Sequence, residues 1–358
     1  MIELSPSYQH ARHLFLDVSK RTGCRIESHL LPDYHGVNGE LLYCDVAYRG
    51  RLDSHKCLVI SSGLHGVEGY CGSAIQTRLL SQHVFERFED EYCIMLVHAL
   101  NPYGFSHSKR VNENNVDMNR NFQHFNQAIP FDQNLIEVNE NVFPKIWQGS
   151  DLTAVHNAIK HYISLHSLSA LQEVLTAGQY YYPDSVFYGG RQPQWTRNLW
   201  DEICQGLAKK FDTVAHIDIH TGLGESGDCE LMYLGGDQEA NRRLACDWFG
   251  ESAVTIPGVA ASTSKPIIGH MGQHLDHYPV RNIAMALEFG TQPIERVLTA
   301  LINDAWLQAN PECDNVLRQH IVKTMREAFM TQGEQWGSSV WSHSLKYVEQ
   351  TMQGLKQV

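Results

Sequence analysis

Short apolar runs alternate with amphipathic stretches along most of this chain, and that alternation sets the first expectations. Helical spacing predicts a helix over Tyr8 to Lys20, and the alternating "LLYCDVAYRG" that follows reads as a strand with one face toward water. From residue 57 onward the runs become continuously apolar: "CLVISS", "YCIMLVHAL", "VAHIDIH" and "IAMALEF". Between the first two, a helix is predicted from about Gly66, and "CELMYLGG" reads as a further strand. Strands of this kind, interleaved with helices, predict an α/β fold whose mostly parallel mixed sheet carries helices on both faces. Residues 123–212 read as a helix-rich insertion containing the aromatic loop "GQYYYPDSVFYGGRQPQW". The stretch 293–358 reads as a helical tail without evident chemistry, around a core of about 57–292. No repeat, low-complexity segment or linker interrupts the pattern, so a single domain over 1–358 is expected.

Composition narrows what such a domain does. A length of 358 residues with 43% apolar content supplies a sizeable core. The net charge of −12 argues against a nucleic-acid partner, which requires a basic surface. An apolar run of about 18 residues, the length that spans a bilayer, is absent, and no membrane partner is expected. The first residues lack a basic start followed by an apolar stretch, which points to the cytoplasm. Nine cysteines without a CxxC pair read as reduced thiols, each a small buried apolar residue.

The candidate chemistry gathers where ligands bind open α/β sheets, beyond the carboxyl ends of strands. His65 and Glu68 follow the first apolar strand, and three residues apart at a helix start they can face one point. Glycines at 63, 66 and 69 strip side chains from around them, as if something had to come close, either a metal ion or simply the neighbouring chain at a strand-to-helix turn. A polar loop, "NPYGFSHSKRVNENNVDMNRNF", follows the second strand, His220 closes the third and Glu288 closes a later one. Two histidines and a carboxylate form the ligand set of a catalytic zinc site, which keeps a position open for water. Spacing alone decides nothing, because H-x-x-E recurs at His83 and Glu86 without glycines or a preceding strand and reads there as an exposed helix face. His220 by itself is a hydrogen-bonded structural residue on the plain reading. "GLGESG" at 222–227 matches a dinucleotide fingerprint by letter, but the segment after it reads as a strand instead of the helix that fingerprint requires. His270, His274 and His277 either hold a second metal or are loop histidines.

Taken in order, "GLHGVEG", "NPYGF…KRVNENNVDMNRNF", "DIHTGLG" and "LEFGT" resemble the zinc metallocarboxypeptidase superfamily, in particular a bacterial branch described only as a domain of unknown function. The loop "GQYYYPDSVFYGG" looks typical of that branch. The resemblance implies a zinc carboxypeptidase-like fold and a cytoplasmic, zinc-dependent hydrolase with one ion per chain. It implies His65, Glu68 and His220 as metal ligands, Glu288 as general base and Arg110 as the oxyanion's partner. Asn119 and Arg120 would clasp a substrate's terminal carboxylate, and Asp117 would orient His65. Such a site acidifies a water and polarises the carbonyl it attacks, while a base in an apolar surrounding has its pKa raised. A family tyrosine upstream of the base is not evident; Tyr278 lies nearest and reads equally as a packed aromatic. "DIHTG" looks more like the succinylglutamate desuccinylase and aspartoacylase branch than the peptidases. The expected partner is therefore a peptide or small molecule bearing a free carboxylate. An N-acyl amino acid deacylase is the alternative enzyme, and a non-catalytic metal or peptide-binding module the alternative of another class. For Arg120, a buried guanidinium would need an anion, either the substrate or a residue such as Glu113.

Overall fold

In the computed structural model, which describes residues 1–126, 133–139, 152–236, 239–259, 262–264, 266–331 and 333–358, the strand pattern is largely as expected. Among the described residues the strands are β1 (Arg25–His35), β2 (Leu41–Gly50), β3 (Lys56–Ser62), β4 (Cys93–His98), β5 (Thr213–Gly222), β6 (Cys229–Tyr233), β7 (Val254–Thr255) and β8 (Arg281–Gly290). They form one eight-stranded sheet in the order β1-β2-β4-β3-β5-β8-β6-β7. Pairing is parallel for β3 with β4, β3 with β5, β5 with β8 and β6 with β7. It is antiparallel for β1 with β2, β2 with β4 and β6 with β8, so the sheet is mixed and mostly parallel. Edge strand β1 is exposed or half-buried except at Leu31, whereas β4 and β5 are buried throughout, as strands covered on both faces must be.

The helices are α1 (Tyr8–Arg21), α2 (Gly69–Ser81), α3 (Pro102–His107), α4 (Gln133–Glu137), α5 (Leu152–His166), α6 (Leu168–Thr176), α7 (Trp195–Lys210), α8 (Glu239–Phe249), α9 (Ile294–Ala309), α10 (Asn315–Phe329) and α11 (Glu334–Gln357). Side chains alternate across a strand, and the two faces of the sheet divide accordingly. Ala215, Ile217 and Ile219 of β5 join Leu58 and Ile60 of β3 in a core packed by α1, α2, α8 and α11. Val214 of β5 faces the other way with Cys57 and Val59, against Leu199, Trp200, Cys204 and Leu207 of α7. His216, Asp218 and His220 share the parity of Val214, and Ser61 that of Cys57 and Val59. A polar row thus crosses an otherwise apolar layer. A third cluster unites α5 and α6 with α9 and α10, so the helix-rich middle region and the tail pack together.

β3 has β4 on one side and β5 on the other, although both follow it in the chain. A crevice opens past the carboxyl ends at such a reversal of strand order, and His65 and His220 lie there. "GLGESG" leads into β6 and no helix, which removes the phosphate-binding context of that motif. No helix of the described residues is long and apolar enough to cross a membrane. All nine cysteines are free thiols; five are buried as expected and four only half-buried.

Candidate metal centre

After β3 the chain turns through Gly63, at φ 67°, into a short 3-10 turn at Gly66–Glu68 that runs on into α2. The glycines admit other parts of the chain. A Cβ on Gly66 would lie 2.0 Å from the Gly104 carbonyl carbon, and one on Gly69 would meet the Phe105 ring at 2.7 Å. α3 therefore docks directly on the turn, and the amides of Gly66 and Val67 donate to the carbonyls of Arg110 and Lys109. That docking brings the Arg110 side chain beside Glu68. Of the two possibilities for Gly66 and Gly69, close approach of the chain is the one observed: they clear space for α3, which leads into the loop that carries Arg110.

His65, Glu68 and His220 form, among the described residues, a group whose donor atoms lie within 4.8 Å of one another, and all three are buried. The two imidazole rings are 5.0 Å apart. His220 Nδ1 lies 3.0 Å from Glu68 Oε2. His65 Nδ1 lies 2.9 Å from Glu68 Oε1 yet has no hydrogen-bond partner, so the two atoms are close without being aligned for a bond. An orphaned, buried imidazole nitrogen beside a second nitrogen and a carboxylate is the donor set that a zinc-like cation takes. The residues present fit such an ion.

The outward nitrogens are both held by carboxylates. His65 Nε2 is 3.1 Å from Asp117 Oδ1, and His220 Nε2 is 2.6 Å from Asp218 Oδ2. Carboxylate-bound imidazoles of this kind orient metal ligands. Asp117 also accepts from the Asn119 amide at 3.0 Å and from Arg110 Nε at 3.1 Å, while Arg110 Nη1 donates to Glu68 Oε1 at 3.0 Å. Burial alone would raise the pKa of both carboxyls. Arg110, His65 and Arg120 instead hold Asp117 well below the usual range, and His65 with His220 holds Glu68 low. Burial likewise opposes charge on His220, but Asp218 and Glu68 outweigh it and raise that pKa well above the ordinary histidine value.

Glu288 sits on β8 directly beside His220 of β5, as its register partner. Its Oε1 accepts from the Leu223 amide at 2.9 Å. Burial, then the charge of Glu68, pushes its carboxyl up to about 8. His65, Arg110, Asn119, Arg120, His220 and Glu288 line a single cavity with about 70 Å³ of space for water. Ile294, Val297, Leu298, Leu301 and Phe329 complete its apolar wall, so the tail helices α9 and α10, which carried no chemistry in the sequence pattern, shape the site.

Arg120 is buried, and its hydrogen bonds run to main-chain oxygens: Nη1 to Asn119 at 2.9 Å and Nη2 to Thr176 at 2.5 Å, with Nε unpaired. The carboxylate whose charge bears on it is Asp117, so Glu113 is not its partner. Asn119 Oδ1 accepts from the Met271 amide. Arg110 and Arg120 share a neighbour that the motifs did not reveal, Phe187, whose ring centroid lies 5.3 Å from one guanidinium and 5.7 Å from the other. Phe187 adopts φ 54° in the aromatic loop, a strained conformation for a bulky residue of the kind found at functional sites. Tyr278 donates to Asp201 at 2.5 Å, the same oxygen that His274 approaches at 2.7 Å. No tyrosine is among the described residues lining the cavity. His277 packs on both His124 and His274, His270 lines a neighbouring cavity, and among the described residues none of the three belongs to a group of three metal-donating side chains.

Several solved structures are similar to the chain. Bovine thrombin-activatable fibrinolysis inhibitor in complex with tick carboxypeptidase inhibitor matches at 10% identity and a TM-score of 0.47, over 96% of this chain and 98% of that one. Carboxypeptidase A from Helicoverpa armigera matches at 11% identity and a TM-score of 0.47, over 96% and 74%. Succinylglutamate desuccinylase from Chromobacterium violaceum matches at 13% identity and a TM-score of 0.37, over 87% and 76%. No curated protein matches. Over residues 4–343 the sequence matches the family described as a protein of unknown function (DUF2817), and the chain belongs to that family.

Proposed function

We propose that this protein is a metal-dependent amide hydrolase that cleaves a small peptide next to its free carboxylate. The observation that carries this reading is the meeting of His65, Glu68 and His220 donor atoms within 4.8 Å of one another, beside a cavity that His65, His220, Glu288 and Arg120 line. When bound, a divalent ion such as zinc supplies Lewis acidity and makes a water acidic enough to ionise near neutrality.

The residues do the remainder. Glu288 takes a proton from the attacking water and delivers it to the departing nitrogen as the C–N bond breaks. Its raised pKa suits that exchange near neutral pH, and a cation beside Glu68 would draw it down from about 8. Arg110 spends two of its five N–H donors on Glu68 and Asp117, which leaves others for the developing oxyanion. Arg120, buried and without a hydrogen-bonded carboxylate, offers its unpaired Nε to a substrate carboxylate. The apolar wall suits the uncharged body of the substrate.

Zinc-loaded protein assayed against dipeptides, N-acyl amino acids and their amidated forms tests the reading. Turnover of free-carboxylate dipeptides that a chelator abolishes is the expected result. Turnover confined to N-acyl amino acids makes the protein a deacylase, and zinc binding without turnover on any substrate makes it a binding module.

A further inference from the structure

The polar row behind the metal ligands carries hydrogen bonds whose direction is fixed at every link. Ser61 Oγ lies 2.6 Å from Asp218 Oδ1 and 2.7 Å from His216 Nε2. A hydroxyl has one proton, and an ionised carboxylate only accepts, so the Ser61 proton goes to Asp218. His216 Nε2 must then donate to the Ser61 oxygen. The second oxygen of Asp218 receives the Nε2 proton of His220 at 2.6 Å. Every member is buried, and the Trp200 ring lies 4.9 Å from His216 at the far end. Ser61 and Asp218 are register partners across β3 and β5, so the pairing of these strands itself sets the chain of bonds. Neither Ser61 nor His216 lines the catalytic cavity, and hydrolysis has no use for either.

We propose that Ser61 and His216 are positioning residues for the metal: through Asp218 they hold His220 with its proton on Nε2, and so present Nδ1 to the ion. This rests on the metal reading above. Left without Ser61, Asp218 loses one of two short bonds and is free to turn, and the His220 ring with it. A plain structural role, tying β3 to β5, would lower stability and leave metal affinity alone.

Zinc affinity, measured by competition with a chromogenic chelator on the full chain, separates the two when read beside urea unfolding of the metal-free protein. Ser61→Ala is expected to weaken zinc binding about 10- to 100-fold, the usual cost of losing a residue that orients a ligand. Ser61→Cys, a weaker donor of similar volume, should fall between, and it decides the question should Ser61→Ala not fold. His216→Phe added to Ser61→Ala should cost no further affinity, because links of one chain are not additive. Unchanged zinc affinity in a folded Ser61 variant, or losses that add in the double variant, would overturn the proposal. Wild-type protein that binds no zinc would instead remove the metal reading, and this inference with it.

Discussion

The spacing H-x-x-E occurs at His65–Glu68 and again at His83–Glu86, and the two copies have become different objects. The first pair has side chains 4% and 1% exposed, with Asp117, Arg110 and His220 in contact. The second pair is 56% and 53% exposed and meets at 2.5 Å, with Arg49 at 3.8 Å from the same Glu86 oxygen. Water serves the exposed pair, which is worth little to the fold. The buried pair had to be supplied with partners, since unpaired buried charge is costly, and its network still leaves one imidazole nitrogen over. Spacing brings two groups to one side of a turn. A site needs the third ligand, 152 residues away from Glu68, and the desolvation that makes the leftover nitrogen available.

The sharpest way to break the comparison is to remove one member of each pair. His65→Ala should abolish metal binding and cut turnover about 10³-fold or more, the several kcal/mol that a metal ion contributes. His83→Ala should keep full metal content by elemental analysis, and loss of metal in both variants would erase the distinction. Glu288→Gln probes the shared cavity without touching a ligand. It should retain zinc while kcat falls about 10²- to 10⁴-fold, because the amide accepts no proton from water. Smaller still is Arg120→Ala, expected to lower kcat/KM about 10- to 150-fold on a free-carboxylate dipeptide, the loss of one charge-assisted bond. The amidated analogue should lose far less, and equal losses on both would detach Arg120 from the carboxylate.

A pH series sharpens the contrast further. Against the burial that opposes its charge, Asp218 and Glu68 favour a proton on His220, and burial raises Glu288 to about 8, so a cation binding here competes with protons. The gain in Tm on adding zinc should therefore grow as pH rises from 6 toward 8, seen by thermal melts at fixed excess metal. A gain that shrinks with rising pH would contradict the assigned ligands. Last, Glu86→Ala should shift urea-unfolding stability by no more than about 0.5 kcal/mol, as surface substitutions do.

Much of this is legible in the chain. The apolar runs mark β3, β4, β5 and β8, and of the polar residues at their ends the fold gathers His65, Glu68 and His220 into one group and sets His65, His220 and Glu288 around one cavity. Asp218, Ser61 and His216 escape a reading that treats "HIDIH" and "CLVISS" as continuous apolar runs. The strict alternation of polar and apolar residues in "HIDIH" is the available signal, placing three polar side chains on one face of a strand with no water on either side. Phe187 has no such signal: only the folded loop sets its ring beside two arginines that lie 67 and 77 positions earlier.

What the sequence determined by itself is what depends on near neighbours or on side-chain chemistry: strand and helix periodicity, and the kinds of donor at strand ends. The tertiary structure decided which partners surround the buried H-x-x-E copy, that the glycines of the turn receive α3, and that α9 and α10 wall the cavity. The reason is physical. Periods of 2 and 3.6 residues are properties of the local backbone, whereas desolvation and the meeting of β3, β5 and β8 depend on a register that only the assembled sheet enforces.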